Sequence, residues 1–128
     1  MISCIQIPEN EIVDILHILY HQKASGPDRI CYKMLKMSPE KIALRIIFNK
    51  SLAQGKYPSA WKIAHVIAIF KTGDSSLPSN YRPISLTRCV GKVLKRVVYK
   101  HVYNHVHSNK LISEYQSGFL PNTQLLIN

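Results

Sequence analysis

The sequence predicts an α+β fold that is mainly helical and carries one small antiparallel sheet. Apolar residues recur at helical spacing in several segments, which is typical of amphipathic helices. Residues 63–70 form an almost wholly apolar, β-branched run of strand length, and residues 83–86 form a second, shorter run. A polar loop joins the two runs, which predicts that they pair as an antiparallel hairpin.

The first part of the chain predicts a short strand followed by a helix. In a strand over residues 3–7, Ser3, Ile5 and Ile7 would face one way and Cys4 and Gln6 the other, and Pro8 ends that pattern. Residues 9–20 then place apolar side chains on one helical face and acids in the first turn, with Glu9 or Asn10 as the cap.

Two further helices are predicted after the Gly-Pro pair, and they are separated from each other at residues 38–39. The Gly-Pro pair at 26–27 interrupts the chain, and Asp28 is placed to cap a short second helix that ends near Ser38. A third helix is expected to begin at Pro39, with Ser38 as its cap, and to end at Gly55. Its expected buried stripe consists of Ile42, Ala43, Ile46, Ile47 and Leu52.

The hairpin is the first candidate binding element. Its first run has the length and composition of a strand buried in the core. Lys71 and Arg82 stand at the two ends of the loop, residues 71–82. A lysine point charge and an arginine fork on one Gly- and Pro-containing turn suit a phosphate. An ordinary hairpin connection has the same composition, so this pattern alone leaves both readings open.

The longest helical pattern, residues 87–107, is the second candidate. Its expected apolar face consists of Val90, Val93, Leu94, Val97, Val98 and Val102. Its other faces carry Arg88, Lys92, Lys95, Arg96, Lys100 and His101. No acid lies between Asp74 and Glu114, so these cations have no partner along their own helix. They indicate either a nucleic-acid surface or a helix kept in solution by charge.

Composition narrows the class of partner. The 128 residues are enough for one domain, and 46% are hydrophobic, enough for a core. Seventeen Lys and Arg stand against seven Asp and Glu, a formal charge of +10. That balance favours nucleic acid first and anionic lipid second, while a merely solvated basic surface is the alternative.

Other classes of site find little support in the sequence. Three cysteines without CxxC spacing argue against a disulfide framework or a zinc site, and favour an intracellular location. No apolar run reaches the ~18 residues of a membrane span.

The acids form no set suited to two-metal chemistry, so neither catalytic nor metal-binding residues are predicted. His101 and His105 have metal-ligand spacing but are expected to be solvated on so basic a helix. Aromatic residues that would stack on bases, or else pack internally, are Tyr32, Tyr57, Tyr81 and Phe119.

Several strings resemble one family in order along the chain, the reverse transcriptases of non-LTR (LINE-type) retrotransposons. Residues 23–30, KASGPDRI, resemble the family's "KAxGPDxI", and residues 48–62 resemble "FNxSLxxGxxPxxWK". Residues 66–74 are similar to "VxPIFKxGD", with Ala68 where proline is usual, and residues 80–86 are the family's "NYRPISL" unchanged. Gly91-Lys92, Leu111-Ile112 and Gln116-Ser117-Gly118-Phe119 continue the match.

The resemblance implies a place in the polymerase hand. Residues 1–128 would be a partial reverse transcriptase domain, the N-terminal extension and fingers, truncated before the palm. Family fingers cations contact the triphosphate of the incoming dNTP and the template strand, and the matching residues are Lys71 and Arg82. The segment with Gln116, Gly118 and Phe119 would lie near the nucleotide and template. Leu120 stands where the family usually has a basic residue, which puts a phosphate contact there in doubt.

The resemblance also implies what this chain is expected to lack. The family's catalytic aspartates lie in palm motifs of the form "DxxxAFD" and "YxDD", and neither occurs in these residues. We therefore expect no polymerase activity from the chain alone, and Mg²⁺ only in the complete enzyme. Template-primer RNA or DNA and dNTP are the implied partners, in the nucleus or cytoplasm. The alternatives are a residual basic nucleic-acid-binding module and a pseudogene product without a role.

Overall fold

Four α-helices and a two-stranded antiparallel sheet make up the computed structural model, which describes residues 5–20, 24–39, 41–113 and 115–116. The expected α+β class, mainly helical with one small sheet, is confirmed. In chain order the elements are α1 (Glu9–Ile18), α2 (Tyr32–Met37), α3 (Lys41–Ala53), β1 (Ala64–Phe70), β2 (Tyr81–Thr87) and α4 (Cys89–Ser108). Short 3-10 turns at Ser59–Lys62 and Pro78–Asn80 precede β1 and β2.

The core forms where α1, α3 and α4 meet, with α2 against α1. On α1 the buried apolar residues are Ile12, Ile15 and Leu16, which share one face because they lie three and four positions apart. Phe48 of α3 is fully buried. The expected apolar face of α4 is largely confirmed, since Val93, Leu94 and Val97 are buried and Val90 and Val98 pack against the core. Val102, at 39% exposed, lies beyond that contact.

The predicted helix starts are displaced from the observed ones. Pro8, not Glu9 or Asn10, is the N-cap of α1, and it makes no side-chain cap bond. Cys31 is the N-cap of α2. Asp28 instead accepts the backbone N–H of Ile30 at 3.2 Å, because a short polar side chain two residues upstream favours a turn over a cap.

The predicted buried stripe of α3 is wrong for most of its members. Ile42, Ile46 and Ile47 are 53%, 57% and 43% exposed, whereas Phe48 and Ser51 are the buried residues of α3. The helix begins at Lys41, with Pro39 outside it, and Glu40 lies outside the described residues. Both faces of α3 are apolar, so periodicity did not identify the face that packs on α1.

Residues 5–7 of the predicted N-terminal strand form no strand, and residues 3–4 lie outside the described part of the chain. Both backbone polar groups of Ile7 are nevertheless hydrogen-bonded by one side chain of α3. Its N–H donates to Asn49 Oδ1 at 2.8 Å, and its carbonyl accepts from Asn49 Nδ2 at 2.9 Å. An amide side chain thus supplies both bonds that a neighbouring strand would supply.

The hairpin pairs as expected, but its burial does not follow the prediction. The register runs from Ala64 opposite Thr87 to Phe70 opposite Tyr81. The expected buried strand is wrong: in residues 64–70, all of them described, none is buried, and Val66 is 65% exposed. A two-stranded sheet needs another element on its face to bury apolar side chains, and no described element covers this one closely.

Two glycines fix how the hairpin joins the helices. A Cβ at Gly26 would lie 2.6 Å from the backbone nitrogen of Arg88, so the Gly-Pro turn fits directly against the β2–α4 junction. A Cβ at Gly91 would collide with the hydroxyl of Tyr57, whose ring packs edge-on against Trp61 at 5.6 Å. At Gly26 the crowding atoms are backbone, which leaves no space for a side chain, whereas at Gly91 they belong to the side chains of Tyr57 and Trp61.

Two remaining expectations concern cysteines and membranes. Cys31 and Cys89 are free thiols, and Cys4 lies outside the described residues. Burial raises the pKa of the Cys89 thiol, which favours its neutral form inside the core. Within the part of the chain that the structure describes, no helix is long and apolar enough to cross a bilayer.

Candidate nucleic-acid interface

Lys71 and Arg82 lie at the same end of the hairpin. The backbone N–H of Lys71 donates to the carbonyl of Asn80 at 2.7 Å, which extends the strand pairing by one step. Arg82 stands opposite Ile69 in the register. Residues directly opposite share a face, as do residues two apart, so the pairing places Lys71 and Arg82 on one face of the hairpin end. Both are exposed.

The loop between them is closed by its own side chains. Asn80 Nδ2 donates to the carbonyl of Asp74 at 2.8 Å, and the Tyr81 hydroxyl donates to the carbonyl of Ser75 at 2.9 Å. Gly73 has φ +94°, and a Cβ there would lie 2.8 Å from Asn80 Nδ2. The Tyr81 ring also packs edge-on against Phe70, with centroids 5.5 Å apart. These contacts connect the two ends of the loop to its middle.

Asp74, the acid of the loop, is hydrogen-bonded to Ser76 and not to Lys71 or Arg82. Asp74 Oδ1 accepts the backbone N–H and the hydroxyl of Ser76, at 2.9 and 2.8 Å. Those two bonds hold the pKa of the Asp74 carboxyl below its usual value. Among the described residues, no ion pair joins Asp74 to Lys71 or Arg82. Asp74 therefore stays charged in the loop without pairing directly with Lys71 or Arg82.

Several basic side chains on and next to α4 have acidic partners, although the sequence of the helix itself contains no acid. Arg88 Nε lies 3.5 Å from Asp28 Oδ2, and Lys100 Nζ lies 3.2 Å from Glu11 Oε1, both as ion pairs without hydrogen-bond geometry. His101, expected to be solvated, lies 2.9 Å from Glu11 Oε2. The acids come from earlier parts of the chain, which spacing along α4 does not register.

The other predicted cations of α4 have no acidic partner among the described residues. Lys92, Lys95 and Arg96 line one side of an open groove of about 420 Å³. Lys95 also places its ammonium 5.4 Å from the centre of the Tyr57 ring. This side of α4 keeps a concentrated positive charge after the ion pairs are taken into account.

Of the aromatic residues expected to stack on bases, Tyr32 does not qualify. It is 3% exposed in the core, and burial is the main reason that its pKa is raised. Tyr57 packs against Trp61, and burial raises its pKa as well. Tyr81 is bonded within the loop. Phe119 lies outside the described residues.

Sequence reasoning missed a different aromatic set on α4. Tyr99 and Tyr103 stack at 5.7 Å with planes 25° apart, and His107 continues the stack at the same distance and angle. Tyr99 is 56% exposed. The i, i+4, i+8 spacing was the available signal, because it places all three rings on one helical stripe.

Comparison with curated proteins gives the family. The chain is 32% identical over 112 residues to the RNA-directed DNA polymerase from mobile element jockey of Drosophila melanogaster, covering 85% of this chain and 12% of that protein. Identity to the probable RNA-directed DNA polymerase from transposon BS of the same fly is 30%, with the same coverage. The chain belongs with the non-LTR retrotransposon reverse transcriptases.

The match extends to a more distant element and covers one segment of each relative. The retrovirus-related Pol polyprotein from type-1 retrotransposable element R1 of Bradysia coprophila is 29% identical over 114 residues. These three relatives are matched over 11–12% of their length. No protein-family model matches the chain.

The third segment expected to contact nucleotide in these reverse transcriptases is only partly described. Gln116 is exposed, and its backbone N–H donates to the carbonyl of Ser113 at 3.0 Å. Gly118 and Phe119 lie outside the described residues. Their expected contacts with nucleotide and template stay predictions.

Mg²⁺ was expected only in the complete enzyme, and the described residues were searched for side chains that could bind it. No group of three His, Cys, Asp or Glu side chains able to hold a metal ion occurs in residues 5–20, 24–39, 41–113 and 115–116. Asp74 accepts hydrogen bonds from Ser76, and Glu11 contacts Lys100 and His101 of α4. The exposed cations Lys71 and Arg82 are side chains that can bind anions.

Proposed function

We propose that this chain is part of the fingers of a retrotransposon reverse transcriptase and grips polyphosphate at the end of its hairpin. Lys71 and Arg82 are the two residues that bind phosphate groups, Lys71 as a point charge and Arg82 as a planar fork. The ligands are the template RNA backbone and the triphosphate of the incoming dNTP. The observation that carries the proposal is that both cations are exposed on one face of the hairpin end and that Asp74, in the loop between them, makes no ion pair with either.

Two-metal nucleotidyl transfer is not proposed for the chain alone. Neither aspartate motif of the palm occurs in its sequence, and the transferred phosphoryl group needs metal ions to stabilise its charge. Primer extension on an RNA template with Mg²⁺ is therefore expected to stay at background. Incorporation by the pure chain would contradict this part of the proposal.

The binding proposal is tested with a short fluorescent RNA across a series of salt concentrations. Wild-type affinity is expected to fall steeply with salt, because each phosphate neutralised releases condensed counterions. Lys71→Ala and Arg82→Ala are each expected to weaken binding about tenfold. Each is also expected to reduce the steepness of the logarithmic salt plot by about 0.7, the value for one single-strand phosphate contact.

Lys62→Ala is the matched control for these variants. It removes the same charge from an exposed lysine before β1, at the end of the hairpin away from the loop. If Lys62→Ala weakens binding as much as Lys71→Ala, the effect is net charge and the grip proposal fails. A flat salt response of the wild type would contradict nucleic-acid binding altogether.

A general nucleic-acid-binding module is the second candidate function, and the basic side of α4 favours it. Lys92, Lys95 and Arg96 line an open groove and have no acidic partner among the described residues. In that case, replacing these three would abolish binding while Lys71→Ala and Arg82→Ala would change it little. The same titration therefore separates the two candidates.

A further inference from the structure

The aromatic stack on α4 has a surface that the fold does not use. Tyr99 and Tyr103 lie four residues apart, with ring centroids 5.7 Å from each other. The core contacts of this helix are made by other side chains, Val93, Leu94 and Val97. Tyr99 keeps 56% of its surface exposed, so its ring has an open side.

Tyr99 stands where three open clefts meet. It lines a groove of about 490 Å³ with Lys95 and Val98, the groove of about 420 Å³ with Lys92 and Arg96, and a third of about 250 Å³ with Lys100 and Tyr103. Lys92, Lys95 and Arg96 have no acidic partner among the described residues, whereas Lys100 pairs with Glu11, and Asp14 also lines the third cleft. An exposed ring surrounded by cations is the arrangement that single-strand binding proteins use for base and phosphate together.

We propose that Tyr99 is a stacking platform for an unpaired base of single-stranded nucleic acid, with Lys95 and Arg96 binding the adjoining phosphates. The inference rests on the proposed function, that the chain binds RNA, and adds where and how a base is held. Recognition is expected to tolerate any sequence, because every base offers a π-face.

The geometry assigns different roles to the two tyrosines. Rings 5.7 Å apart leave no room for a base between them, since a base stacked on both would need about twice the ~3.4 Å stacking distance. The base therefore lies on the outer face of Tyr99. Tyr103 is a positioning residue that supports the Tyr99 ring from the other side.

The experiment compares a polyanion with bases and one without. Fluorescent oligouridylate and inorganic polyphosphate are titrated with the full chain at several salt concentrations. Tyr99→Ala is expected to weaken oligouridylate binding about five- to hundredfold, the range of one base stack. Its salt dependence is expected to stay unchanged because no phosphate contact is lost, and its affinity for polyphosphate is expected to stay that of the wild type.

Conservative and control variants separate stacking from folding. Tyr99→Phe keeps the ring and is expected to bind like the wild type, whereas Tyr99→Leu keeps an apolar side chain without a π-face and is expected to behave like Tyr99→Ala. Tyr115→Ala, at a tyrosine that is 97% exposed outside α4, is the matched control and is expected to have no effect. Far-ultraviolet circular dichroism melts check that each variant is folded.

Tyr103→Ala tests the supporting role. It is expected to weaken oligouridylate binding less than Tyr99→Ala and to add nothing in the double variant, because both act through one ring. Full additivity in the double variant would contradict this assignment.

Two results would overturn the stacking inference. One is an unchanged affinity of Tyr99→Ala for oligouridylate, and the other is an equal loss of affinity for polyphosphate, which has no bases. If these occur while the wild type binds RNA with steep salt dependence, the platform fails and the proposed function stands. If the wild type binds neither polyanion at low salt, both fail.

Discussion

The helical part of the molecule and its hairpin use equally apolar sequences in opposite ways. All the buried hydrophobic residues among those described lie on the helices or in the segments around α1, and none lies in residues 64–87. Phe48 is 0% exposed and Phe70 is 47% exposed, yet both rings make an edge-on aromatic contact. What differs is the number of neighbours available to cover the ring.

The two parts are stabilised by different forces. The helices gain from burial of apolar surface, which contributes roughly 25 cal/mol per Å². The hairpin is held by its own backbone pairing and by short-range bonds from Asn80 and Tyr81. An isolated two-stranded hairpin is at best marginally stable, so this one depends on its junction with the helices.

The largest expected effect comes from making the same substitution in both parts. Phe48→Ala is expected to reduce the free energy of unfolding by about 3–5 kcal/mol, the usual result of emptying a buried aromatic site. Phe70→Ala is expected to reduce it by about 1 kcal/mol or less, since half of the ring is already in water. Urea denaturation followed by circular dichroism measures both.

Equal losses of stability from Phe48→Ala and Phe70→Ala would contradict this difference between the helices and the hairpin. They would mean that the hairpin is covered in solution, for example by association of chains. Repeating the measurement over a range of protein concentrations identifies that case, because association makes apparent stability depend on concentration.

The junction between the two parts gives the next largest effect. Gly26→Ala places a Cβ 2.6 Å from the backbone nitrogen of Arg88, where only a backbone shift relieves the contact. We expect a loss of about 1–3 kcal/mol in the free energy of unfolding. Thermal unfolding monitored by circular dichroism is the measurement.

Asp28→Asn is the companion variant at the same junction. It removes the ion pair with Arg88 and leaves the backbone fit intact, so about 1 kcal/mol or less is expected. If it costs more than Gly26→Ala, charge and not backbone fit joins the hairpin to the helices.

Sequence patterns predicted the features that depend on local order. The antiparallel pairing of the hairpin and the buried face of α4 follow from alternation and from helical spacing, and both are confirmed. Lys71 and Arg82 lie at the same end of the hairpin because they stand at the two ends of the loop that joins its strands. Each of these involves neighbours within one element or one turn.

Features that depend on distant contacts were not predictable in this way. The exposure of Ile46 on α3 and of Val66 on β1 is set by which elements lie nearby, and periodicity does not carry that information. The pairing of Lys100 and His101 with Glu11 joins residues about 90 positions apart. The same reason explains why Arg88 was expected to be free and is paired with Asp28.

The Glu11 contact offers a third, smaller test on the helical side. Glu11 is 7% exposed and lies between Lys100 and His101, so Glu11→Gln removes a buried charge and weakens two contacts. Both partners keep access to water, which limits the expected loss to about 1–2 kcal/mol. Asp14→Asn, at an exposed acid of the same helix, is the control and is expected to change stability by less than about 0.5 kcal/mol. Equal losses would show that α1 needs negative charge in general and not this contact.

The smallest effect belongs to the exposed acid of the hairpin, Asp74. Its pKa in the folded chain lies below the ordinary value of 3.8, first because of the Ser76 backbone N–H and second because of the Ser76 hydroxyl. A lowered pKa means that the bonds to Ser76 contribute fully above pH 3.8 and are lost as the pH falls through the folded-state value. Ser76→Ala removes only the hydroxyl, so the pKa is expected to rise part of the way to 3.8, measured by NMR titration of the Asp74 carboxyl. Ser75→Ala, whose side chain makes no such bond, is expected to leave it unchanged. If both variants raise the pKa equally, the loop as a whole and not the Ser76 bonds keeps Asp74 charged, and the hairpin would then resemble the helices in depending on longer-range contacts.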